Sequence, residues 1–95
     1  MNVRYVLAPQ AAIDLVDMWR YIKEPSSVTI ADRVESAIRE GMGFLVEVPG
    51  SGHHRKDLTD EQVKFFAVYS YLIVYRPEAK PLQNVSILHG RREVA

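Results

Sequence analysis

The sequence predicts one α+β domain: an N-terminal strand, an antiparallel helical hairpin, then a three-stranded antiparallel meander. Three observations carry this. The chain has 95 residues, enough for a single domain over 1–95 and too few for two. Apolar residues between 8 and 45 recur at spacings of three and four, whereas beyond 63 they fall in short runs bounded by turn formers. Hydrophobic residues make up 47% of the chain, which lets a core form.

Val3 to Leu7 reads as the first strand, rich in β-branched and aromatic residues and stopped by Pro9. Pro9 also suits the first turn of a helix, where its missing N–H costs nothing. Ala8, Ala12, Leu15, Trp19 and Ile22 predict the apolar face of that helix, with Asp14, Asp17, Arg20 and Lys23 mostly away from it. Pro25 closes the helix, and Ser26 and Ser27 are N-cap candidates for a second one. Ile30, Val34, Ile38 and Leu45 predict the second stripe, with Ala37 and Gly41 beside it. Gly41 and Gly43 weaken its last turns, and Pro49-Gly50 ends it. The short connection favours an antiparallel hairpin whose apolar faces need a sheet or a partner to cover them.

Residues 47–62 predict a long irregular loop, opened by turn formers and followed by a charge cluster. Val63–Val68 and Tyr71–Arg76 read as strands joined by a tight hairpin turn at Ser70. Pro77 to Pro81 forms the next turn, and Asn84–Leu88 the last strand. Two-residue periodicity places Tyr71, Ile73 and Tyr75 on one face and Leu72, Val74 and Arg76 on the other.

There are no cysteines, which excludes disulfides and cysteine-type zinc sites and fits a reducing compartment. The N-terminus lacks the apolar run of a signal peptide, and no stretch approaches the ~20 apolar residues of a membrane span. The expectation is a cytoplasmic protein. Net charge is zero, yet residues 1–50 carry five Lys/Arg against seven Asp/Glu and residues 51–95 seven against five. Nucleic-acid binding driven by bulk charge is therefore disfavoured, while a local basic site in the second half stays open.

His53-His54 invites a metal, but adjacent histidines in an extended chain point apart, and only His89 could join them. The sequence points to no metal and no cofactor. His53-His54-Arg55-Lys56 is a basic cluster blunted by Asp57, Asp60 and Glu61, suited either to solvent or to a partner. Tyr71 and Tyr75 are open to packing or to anchoring a partner. His89-Gly90-Arg91-Arg92 at a strand end suits contact with a phosphate or carboxylate, or forms an ordinary basic tail.

These pieces in this order resemble the RelE/ParE superfamily of toxin–antitoxin toxins, over nearly the whole chain. The matching residues are Tyr5 to Pro9 leading into the first helix, Ala31-Asp32-Arg33, Pro49-x-x-Gly52 and Arg55-x-Asp57-Leu58. The run Val68-Tyr69-Ser70-Tyr71-Leu72-Ile73-Val74-Tyr75-Arg76 and the terminal Ile87-Leu88-His89-Gly90-Arg91-Arg92 complete the set. The resemblance implies a toxin of a type II system, bound in a hetero-oligomer by a cognate antitoxin.

RelE-like members cut mRNA in the ribosome with basic residues on the meander, whereas ParE-like members poison DNA gyrase. Here Leu72 stands where the RelE pattern has an Arg after the Tyr, and Phe65-Phe66-Ala67-Val68 where lysines are expected, with only Lys64 nearby. No late Tyr follows before Ala95. A ribonuclease transition state gathers negative charge that such cations would stabilise. The resemblance therefore leans to a ParE-like, gyrase-binding toxin rather than an enzyme. Target contact is expected from Arg55, Arg76, His89, Arg91 and Arg92, with Tyr71 and Tyr75 as weaker candidates. The alternatives are an mRNA endonuclease using His89 and Arg92, or a non-toxic relic that still binds antitoxin.

Overall fold

The computed structural model describes residues 5–89, so Val3 and Arg4 of the expected first strand, and Gly90, Arg91 and Arg92, lie outside the described residues. Strand β1 (Tyr5–Leu7) leads into α1 (Pro9–Lys23) and α2 (Val28–Glu47). A single 3₁₀ turn (Pro49–Ser51) and a loop follow, then β2 (Lys64–Val68), β3 (Tyr71–Arg76) and β4 (Leu82–His89). Each expected element is present. The last strand is longer than expected, and β2 begins at Lys64 rather than Val63.

Helix α1 starts with Pro9 in its first turn, behind an Ala8 whose methyl cannot cap, and carries Arg20 and Lys23 near its C-terminus, where cations favour the helix dipole. Ser27 caps α2: its Oγ accepts a 3.2 Å hydrogen bond from the Ile30 amide. Leu15, Ile38 and Leu45 are buried as the stripes predict, whereas the rest of each buried face lies about one position from them. In α1 the buried residues are Ala11, Leu15 and Met18. Ala12 is exposed, and Trp19 is half-buried, its indole N–H donating to Asp32 at 2.7 Å. In α2 they are Ala31, Ile38, Met42 and Leu45, and Ile30 faces solvent. Both helices carry more apolar residues than one face needs, so spacing alone did not single out the inward row.

Helix α2 runs straight through Gly41 and Gly43 to Glu47. Gly41 has a packing reason: a Cβ there would lie 3.1 Å from Val68 and 3.3 Å from Ile73. Helix and sheet approach closely at that point.

The sheet order is β1-β4-β3-β2. β2–β3 and β3–β4 pair antiparallel, as the meander requires, whereas β1 runs parallel to β4, with Leu7 opposite Asn84. The sheet is therefore mixed. A bulge on β4, where Val74 pairs with Ser86 and Tyr75 with Asn84, shifts the inward set from Leu82 and Asn84 to Ile87.

The two helices cover one face. Leu15, Met18, Ile38, Met42 and Leu45 pack there on Tyr71, Ile73, Tyr75, Leu82 and Ile87. Removing one fully buried side chain, such as Ile38, costs ~2–5 kcal/mol by lost burial and the cavity left behind. The opposite face holds Val63, Phe65 and Val74, with Leu58, Leu72, Val85 and Leu88 against them. The segment expected as an irregular loop is thus partly structured. Leu58 packs on this second cluster, and His53 pairs antiparallel with Phe65, its amide and carbonyl bonded at 2.9 and 2.8 Å. That contact covers part of the otherwise open edge of β2.

Candidate functional site

The expected contact residues divide between the two ends of the sheet. His89 closes β4 directly opposite Tyr71, the first residue of β3, and the two rings meet edge-on at 5.0 Å. This pair sits in a groove of about 340 Å³ between α1 and the sheet, lined also by Asp14, Asp17, Met18, Tyr21 and Ile87. No Lys or Arg lines it among the described residues.

Asp14 does not stand away from the sheet as its polarity suggests. One carboxylate oxygen accepts the Ile87 amide at 2.9 Å, and the other accepts the Gln10 amide at 2.8 Å. The bulge would otherwise leave the Ile87 N–H to find a partner, and α1 supplies an anion for it. The signal in the sequence is an acid one residue before the buried Leu15, on the same side as Ala11 and Met18.

Arg76 lies at the far end of β3 from Tyr71 and pairs with Glu61 at 3.4 Å. Arg55 grips Asp57 through two bonds of 3.0 and 2.8 Å, which hold the Asp57 carboxyl below its ordinary value. These two arginines join neither each other nor His89 in one constellation. Arg91 and Arg92 lie outside the described residues.

Tyr75 requires a correction as a contact residue. It is 0% exposed. Its phenol donates to the Pro49 carbonyl at 2.6 Å and accepts the Gly52 amide at 2.9 Å. Burial lifts its pKa, opposed in part by the Gly52 bond. Tyr75 thus pins the turn after α2 to the sheet. Gly52 permits this, since a Cβ there would lie 2.6 Å from the phenol oxygen and 2.8 Å from the Phe65 carbonyl oxygen.

Among the described residues no three His, Cys, Asp or Glu side chains converge for a metal, and no helix is long and apolar enough to cross a membrane. His54 Nδ1 lies 3.1 Å from the Val63 carbonyl. A carbonyl only accepts, so this nitrogen carries the proton.

A second concavity, about 460 Å³, here called the outer groove, opens along the helical hairpin at the β1 edge of the sheet. Leu7, Ala12, Leu15, Val16 and Trp19 line it together with the charged Asp32, Glu35 and Arg39. Ile13 and Val16 are among the large apolar residues that α1 leaves exposed. Sequence reasoning missed this surface because it assigned Ala12 and Trp19 to the core.

A profile of the ParE toxin of type II toxin–antitoxin systems, parDE, matches residues 5–94. The chain belongs to the ParE toxin family. A chain from the chromosomal ParDE TA system of P. aeruginosa has the same fold, with a TM-score of 0.76 over 90% of this chain and 92% of that one. The two are 18% identical. No curated protein gives a significant sequence match. The ParE profile runs through β1, both helices, the pinned turn and the whole meander, so the Tyr71–His89 groove and the outer helical groove both belong to the family domain.

Proposed function

We propose that this ParE toxin is neutralised by a cognate antitoxin seated in the outer groove of the helical hairpin, and that it arrests growth by binding DNA gyrase. The observation that carries the second half is the groove beside His89. Two carboxylates, Asp14 and Asp17, line it, with no Lys or Arg among its described lining residues. A phosphodiester brought there meets like charge, and among the described lining residues no Lys or Arg stands ready to stabilise the developing charge of a cleavage transition state. Arg55 and Arg76 do not supply the lack, because each is held by a carboxylate elsewhere. Binding to a protein target needs no such cluster.

The outer groove supports the first half. It sets the apolar Leu7, Leu15, Val16 and Trp19 beside the charged Asp32, Glu35 and Arg39, a mixture suited to an amphipathic helix. A DNA supercoiling assay with purified gyrase, run beside mRNA cleavage on translating ribosomes, tests the target. Inhibited supercoiling with intact mRNA is expected. Codon-directed cleavage with turnover would assign the chain to the endonuclease class instead.

A further inference from the structure

Strands β2 and β3 are joined by a two-residue turn, Tyr69-Ser70, closed by the Val68–Tyr71 pair. Tyr69 has φ of +55°, the one non-glycine residue with positive φ among those described. Hairpin turns with positive φ at the first central position select glycine, because a side chain there crowds the backbone. A tyrosine is thus the wrong residue for the turn. Packing does not account for it either, since Tyr69 is 67% exposed and stands outside both apolar clusters. Among the described residues its phenol has no hydrogen-bond partner.

We propose that Tyr69 anchors the toxin to its target protein, its ring filling an apolar slot whose far end accepts a hydrogen bond from the phenol. Backbone strain held for no structural return concentrates at functional positions. Tyrosine is among the residues that dominate protein–protein binding energy, offering a large rigid surface with one polar tip.

Its place in the fold points to the target rather than the antitoxin. The tip sits beside the Tyr71–His89 pair, at the end of the sheet where β4 finishes. Leu7, which lines the outer groove, belongs to β1, and β1 and β2 are the two opposite edges of the sheet. The inference rests on the reading of the chain as a toxin that acts by binding.

The test compares the full-length wild-type chain with Tyr69→Asn, which suits positive φ, and Tyr69→Phe, which keeps the ring. Tyr69→Asn is expected to melt about 4 °C higher as the strain is relieved, on the usual scaling for a domain of this size. It should also need about 30-fold more toxin to half-inhibit gyrase supercoiling, the scale of a hot-spot loss. Tyr69→Phe should fall between the two. Inhibition within threefold of wild type overturns the anchor, as does a lowered melting temperature, which would make the ring structural. If wild type arrests growth on induction yet leaves supercoiling untouched, the gyrase reading fails. Growth arrest then judges the anchor: lost arrest at equal protein level supports it, and retained arrest overturns it. A wild-type chain that neither arrests growth nor inhibits supercoiling overturns it as well.

Discussion

Tyr75 shows how much one hydroxyl can hold. Its phenol serves two backbone groups, the half-buried Pro49 carbonyl and the buried Gly52 amide. Tyr75→Phe keeps the ring and removes both partners, so ~1–3 kcal/mol of stability should be lost, read by chemical denaturation at neutral pH. The same residue gives a pH signature. Its folded pKa lies above the unfolded value of 10.0, so the unfolded chain ionises first. The contribution is intact below pH 10 and falls away as pH rises through the folded value. Wild type should therefore lose stability more steeply above pH 10 than Tyr75→Phe does, and equal slopes would contradict the assignment. The sequence placed Tyr75 on the correct face of β3, with Tyr71 and Ile73. It did not reveal that this face is the covered one at that height, because the covering comes from residues some twenty-five positions away.

At the scale of the element, α2 and the β4 bulge each make a prediction. Gly43 has open space where a Cβ would go, whereas Gly41 abuts Val68 and Ile73. Gly43→Ala should stabilise by ~0.5–1 kcal/mol, the ordinary gain of alanine over glycine inside a helix. Gly41→Ala has the same helical gain but must displace two side chains by a few tenths of an ångström, so its melting temperature should stay below that of Gly43→Ala. On β4, Asp14→Ala removes the acceptor for the Ile87 amide and should cost ~1–3 kcal/mol, while Asp14→Asn, which keeps an acceptor oxygen, should cost less. Thermal melts of the pair decide this, and equal losses would mean that the charge, not the hydrogen bond, matters there. The glycines read in the sequence as weak points of the helix. Only one is a point of close approach, and that distinction needs the sheet in place.

At the scale of the molecule, the helical layer has an inner face that builds the core and an outer face with Ile13 and Val16 exposed. An antitoxin helix in the outer groove would cover Val16. Val16→Asp places a charge on an exposed position, so the fold should be unchanged. Antitoxin affinity should drop at least ~10-fold, through one desolvated carboxylate facing the apolar side of an amphipathic helix in a groove that already holds Asp32 and Glu35. In cells this variant should arrest growth even with the antitoxin co-expressed. Undiminished antitoxin binding in a titration would place the interface elsewhere.

The order of elements, the helical hairpin, the meander and the two faces of β3 were all legible in the chain itself. They rest on local rules: side-chain period, proline and glycine punctuation, and a serine cap. The family resemblance was legible for the same reason, since its motifs sit in those local elements. The parallel pairing of β1 with β4 was not, because it joins residues some seventy-seven positions apart and follows from where the helices carry the chain. Nor were the burial of Tyr75, the acid that satisfies a bulge, or the carboxylates beside His89. Each depends on two groups from distant elements meeting in space, and no spacing along a sequence encodes such a meeting.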